Sequence, residues 1–163
     1  MNMTTNPSST VDTDAFSVRR SVHIDASIEK VWAAITEPEH LTKWFPESAT
    51  LDGTGVGATG HFTWGERAIP VRIDEFEPLR AISYRWGNDD SDPVTSPTLV
   101  DSHSVVMRFT LEPDATGVLL TIVESGFETS LDPAANLEGH RHGWNAMLDQ
   151  LVTYLEADAE SAS

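Results

Sequence analysis

The stretch from His140 to Glu156, H-R-H-G-W-N-A-M-L-D-Q-L-V-T-Y-L-E, constrains the fold more than any other part of the chain. Trp144, Leu148, Leu151 and Leu155 recur at spacings of four, three and four, which places them on one apolar stripe of an α-helix. Met147 and Val152 widen the stripe, while Asp149, Gln150 and Glu156 lie mostly off it. Such a helix must bury its stripe, and the preceding chain offers mainly short strands for it to close over.

Those strands read from alternation. Phe16 to Ile24 is a first strand, with Phe16, Val18, Val22 and Ile24 near one face. Ser27 is placed to cap a short helix whose buried face is Ile28, Val31, Trp32 and Ile35, ending near Thr36. Pro38 opens a second short helix through Leu41, Trp44 and Phe45, which Pro46 stops. Gly53, Gly55, Gly57 and Gly60 lack the Gly-Lys-Ser/Thr ending of a nucleotide loop and read as a flexible hairpin or strand edge. Further strands carry Phe62 and Trp64; Ile69, Val71 and Ile73; Ile82, Tyr84 and Trp86; His103, Val105, Met107, Phe109 and Leu111; and Val118, Leu120, Ile122 and Glu124. Residues 88–101 form a polar loop, expected to be mobile. Asp132-Pro133 supplies the N-cap and first position of the closing helix, whose first turns Gly139 and Gly143 are expected to bend or break. Residues 1–15 and 158–163 read as disordered tails around one domain, 16–157. The order strand, two helices, antiparallel strands, long helix implies an α+β fold, with helices on one face of a curved sheet.

Composition narrows the function. There are 26 acidic against 10 basic residues, a net charge of −16, so nucleic acid and anionic membrane surfaces are excluded as expected partners. No apolar run approaches the roughly 20 residues of a membrane span, and the N-terminus has no basic start or apolar core of a signal peptide. Zero cysteines remove disulfide and thiolate chemistry, and a cytoplasmic protein is expected. His140 and His142 point about 200° apart on a helix and cannot share a metal. With no His-Glu-x-x-His pattern either, no metal or cofactor is expected. A Gly-x-Ser-x-Gly elbow is also missing.

The opening V-H-I-D-A-S-I-E-K-V-W-A-A-I-T-E-P-E-H-L-T-K-W-F resembles the start of an SRPBCC (START-like) domain. The variant it resembles is the family of homologues of the C-terminal domain of the activator of the ninety-kilodalton heat-shock chaperone's ATPase. The matching positions are Ile24-Asp25-Ala26, Val31-Trp32, Pro38, Leu41 and Trp44-Phe45, with Val123 to Phe127 and the helix from Gly143 to Glu156 similar as well. The likeness spans about residues 17 to 157. It implies a helix-grip fold: a seven-stranded antiparallel sheet wrapped around the long C-terminal helix, with a cavity between them for an apolar ligand. Relatives include cyclases and dehydratases, and chaperone activators.

With the inward faces assigned as above, that pocket is lined by Phe62, Trp64, Val71, Ile73, Tyr84, Trp86, Val105, Met107, Phe109, Leu120, Ile122, Trp144 and Leu148, unless these side chains simply pack the core. Three polar residues share those faces. Glu124 is a candidate to accept a ligand hydroxyl or act as general base, or else it pairs with Arg85 or Arg108 or lies at a wet rim. His103, beside the polar loop, is a candidate for proton transfer or an ordinary loop-edge histidine. Tyr84 offers a hydroxyl inside an apolar face. Three functions follow: a binding domain for a small hydrophobic molecule, a cyclase- or dehydratase-like enzyme, or a chaperone-interacting module, as monomer or homodimer.

Overall fold

Alternation along the chain sets a sheet whose inner face is apolar. In β2 (Ser17–Ile24), Val18, Val22 and Ile24 are completely buried. In β8 (Val118–Ser125), Val118, Leu120, Ile122 and Glu124 alternate inward without a break. Between them in sequence lie β3 (Ser48–Leu51), β4 (Thr59–Trp64), β5 (Arg67–Glu77), β6 (Ala81–Gly87) and β7 (Ser104–Pro113). This computed structural model describes residues 6–87, 104–130 and 132–161. With β1 (Thr10–Asp12), the strands form one antiparallel sheet in the order β1-β2-β8-β7-β6-β5-β4-β3. The register slips between Ile73 and Glu75 of β5, a bulge that bends the sheet.

The helices close over the concave face. Ser27 Oγ accepts the Lys30 N–H at 3.3 Å and starts α1 (Ile28–Thr36), which buries Val31, Ala34 and Ile35. Pro38 begins α2 (Pro38–Leu41), which ends sooner than expected, leaving Trp44 and Phe45 in the turn that follows. Asp132 Oδ1 accepts the Ala135 N–H at 3.2 Å at the head of α3 (Pro133–Ser161). Trp144, Leu148, Leu151 and Leu155 of α3 are buried in the core, as the stripe requires.

Four expectations are corrected. Among the described residues the sheet has eight strands rather than seven. The extra one comes from the segment read as a disordered tail: Thr10, Val11 and Asp12 pair with Arg19, Val18 and Ser17 of β2. Its anchors are tertiary. Arg20, 4 % exposed, donates to the Pro7 carbonyl at 2.8 Å and the Asn145 carbonyl at 2.9 Å and pairs with Asp149, while Ser9 donates its N–H and hydroxyl to Asn145 Oδ1. Finally, α3 runs unbroken through Gly139 and Gly143 and continues past Asp158 to Ser161. Each glycine costs a helix about 1 kcal/mol, less than the burial of four large apolar side chains returns.

Candidate functional site

The alternation of β8 brings Glu124 to an inward position, where its side chain has no exposed surface. Its oxygens are surrounded by ring N–H groups. Oε1 accepts the Trp144 indole N–H at 2.7 Å and faces His140 Nδ1 at 2.8 Å; Oε2 accepts the Trp86 indole N–H at 2.7 Å. His140 and Trp144 are four residues apart on α3, hence on one face. Trp86 reaches in from β6. Burying a carboxylate costs several kcal/mol unless hydrogen bonds replace its water, and indole N–H groups, which only donate, are suited to that.

His140 is held on its flanks as well. Its ring lies edge-on to Phe127 at 4.9 Å and to Trp86 at 6.2 Å between centroids, and its side chain is 27 % exposed. Phe127 arrives there because Gly126 turns the chain out of β8 at φ 108°, a left-handed conformation that disfavours other residues. A Cβ at Gly126 would also lie 3.0 Å from the Ser104 carbonyl oxygen.

A cleft of about 190 Å³ adjoins this cluster, lined by Phe45, Trp64, Trp86, Gly139, His140, Gly143, Trp144 and Met147. Phe45 is its hub, with ring centroids 5.4 Å from Trp64, 5.6 Å from Trp86 and 5.4 Å from Trp144. A Cβ built on Gly139 or Gly143 meets nothing within 4 Å, so the missing side chains of these two residues help keep the space open.

The expected pocket wall divides. Trp64, Trp86 and Trp144 border the cleft. Ile73 borders a separate hollow of about 280 Å³ between the α1–α2 junction and the glycine-rich hairpin, and Val71 a groove of about 470 Å³ along β3 to β5. Phe62, Tyr84, Val105, Met107, Phe109, Leu120, Ile122 and Leu148 pack in the core with no exposed surface. The Tyr84 hydroxyl donates to the Ile35 carbonyl at 2.6 Å, and burial pushes its pKa far above the ordinary phenol value. His103 and the 88–101 loop lie outside the described residues. Glu124 does not pair with Arg85 or Arg108, because both arginines point from the opposite face of the sheet: Arg85 donates to Asp74 and Arg108 to Glu75, each at 2.8 Å. Phe45, His140 and Met147 are not among the residues expected at the site. The i, i+4 spacing of Gly139 and Gly143, with His140 and Trp144 each following one of them, was the available signal.

Among the described residues, Glu37, Glu39 and His40 bring metal-ligating atoms within 4.8 Å of one another. Both carboxylates are exposed, and His40 Nδ1 is hydrogen-bonded to the Tyr154 hydroxyl at 2.8 Å. No helix among the described residues is long and apolar enough to cross a membrane.

Residues 25–156 match the family described as Activator of Hsp90 ATPase homolog 1-like protein. The chain belongs to that family. Solved structures share the fold. A Mesorhizobium loti protein is 24% identical, with a TM-score of 0.72 over 86% of this chain and 97% of its own. The Aha1 dimer from Colwellia psychrerythraea is 20% identical, with a TM-score of 0.67 over 86% and 96%. DynU16, from the dynemicin biosynthetic locus, is 24% identical, with a TM-score of 0.66; 86% of this chain matches 47% of that longer one. No curated protein matches the sequence. The AHSA1-like domain is thus an α+β helix-grip fold with an eight-stranded sheet.

Proposed function

We propose that this AHSA1-like domain binds a small apolar or amphipathic molecule in the cleft beneath α3. One observation carries the reading: an aromatic recess whose inner wall is fixed by a buried polar anchor, Glu124, holding Trp86, Trp144 and His140 in place. Pre-organised apolar walls with a few converging polar groups are the usual make-up of a ligand site. A volume of about 190 Å³ suits one ring or a branched head group, since sites for drug-sized ligands run to roughly 300–1,000 Å³.

The test fills the cleft without disturbing the fold. Gly143→Leu projects its side chain into open space. Native mass spectrometry of co-purified adducts, with a ligand-observed NMR fragment screen, is expected to show ligands on the parent chain and none on folded Gly143→Leu. Ligands bound equally by both, or by neither, would overturn the reading.

The contact from His140 to buried Glu124 favours a second reading, an enzyme of the cyclase or dehydratase kind. His140 would exchange the proton with a bound carbonyl compound, and Glu124 would orient it. Turnover that survives His140→Gln unchanged removes this reading. Chaperone contact and a homodimer follow only from the family's description and from the dimeric fold neighbour. Val56, 69 % exposed, is the one strongly exposed large hydrophobic among the described residues, too little for a defined apolar patch.

A further inference from the structure

Resting on the small-molecule reading, we propose that the cleft selects a small organic cation, an alkyl- or arylammonium head group. The wall is the first reason. Phe45, Trp64, Trp86 and Trp144 supply ring surface and Met147 a polarisable thioether. The polar edges of Trp86 and Trp144 are turned away from the cleft, each N–H donated to Glu124 at 2.7 Å. These two rings therefore offer a guest carbon and π density, not a hydrogen bond. A cation is attracted to such rings within about 6 Å of their centroids. The four rings pack on one another with centroids 5.4 to 5.9 Å apart, so they present a guest with one contiguous aromatic wall.

Charge is the second reason. Glu124 is a buried carboxyl group directly behind two of these rings. An indole N–H donating to a carboxyl oxygen leaves its ring richer in electron density and strengthens the attraction of that ring for a cation. Among the described residues the lining contains no lysine or arginine to hold a carboxylate or phosphate, and His140 is its one titratable member. The net charge of −16 steers cations toward the protein and anions away. A neutral guest gains the packing alone.

Choline and its uncharged carbon isostere, 3,3-dimethylbutan-1-ol, are suitable probes. Each is titrated into the full chain at about pH 8, above the ordinary histidine range, in about 0.15 M salt to screen diffuse attraction. The readout is the indole N–H resonances. Choline is expected to shift Trp64, Trp86 and Trp144 more than Trp32, whose ring packs on Phe76 at 5.4 Å. The alcohol is expected to bind at least about tenfold more weakly. Trp64→Leu removes a ring that takes no part in the Glu124 cluster, and it lowers choline affinity roughly tenfold with the melting temperature near that of the parent. Equal or tighter binding of the alcohol overturns the cation assignment and leaves the small-molecule reading standing. Binding of neither probe also overturns the assignment, and the fragment screen then decides the wider reading alone. Shifts centred on Trp32, or choline affinity indifferent to Trp64→Leu, place the probe elsewhere and overturn it too.

Discussion

On the outer face of the sheet Asp74 and Glu75 meet arginines, whereas on the inner face Glu124 meets only ring N–H groups. The outer cluster exists because the β5 bulge lets two consecutive acids face the same way. Asp74 accepts from Arg72 at 2.7 Å and Arg85 at 2.8 Å, and Glu75 accepts from Arg108 and the Ser83 hydroxyl, each at 2.8 Å. These carboxylates keep partial contact with water, so each pair is screened and individually contributes little. Glu124 has no water to fall back on. Its three partners are interdependent, and all three line the cleft. A partly wet charge cluster tolerates loss; a dry one organises its surroundings and fails as a unit.

The largest expected effect tests that contrast directly. Glu124→Ala leaves two buried indole N–H groups unpaired, at about 1–3 kcal/mol each, and is expected to lower stability by about 2–5 kcal/mol, read from urea denaturation midpoints. A cost no greater than that of Asp74→Asn would break the comparison.

Gly143→Ala comes next, with the opposite sign. Its Cβ meets nothing within 4 Å, so the substitution should gain stability by about 0.5–1 kcal/mol through helix propensity. A loss instead would show that the cleft is narrower than described.

The smallest effect is Asp74→Asn, at about 0.2–1 kcal/mol, and it carries a pH signature. Burial alone would raise the Asp74 carboxyl, but hydrogen bonds and charge from Arg72 and Arg85 hold it below the ordinary range. The hydrogen bond from Arg108, with that from Ser83, lowers Glu75 as well. With folded pKa values below the unfolded ones, this stability is fully present above the ordinary carboxylate range of about 4. It is lost as the pH falls through the folded values. Denaturation midpoints followed downward from neutral pH should fall less in Asp74→Asn than in the parent; identical slopes would remove Asp74 from the acid response.

Much of the architecture was legible in local pattern. Alternation placed Glu124 inward, and the caps at Ser27 and Asp132 sit where their helices begin. The site was less legible. Arg85 and Arg108 looked like natural partners for Glu124, yet strand pleating puts them on the opposite face. β1 was missed because Thr10 to Asp12 has little apolar content, and its stability comes from pairing with β2 and from the Arg20 and Asn145 contacts. Phe45 read as the end of a helix, although it is the hub of the cleft.

The sequence by itself determined the inward and outward faces of the strands and the apolar stripe of α3, because a period of two or 3.6 is a property of the local backbone. Only the tertiary structure decided that Glu124 would face two indoles and an imidazole, and that Gly139 and Gly143 would open a recess rather than break a helix. Those outcomes depend on how α3 is rotated against β6 and β8, segments distant in sequence whose side chains meet only after the sheet has curved around the helix.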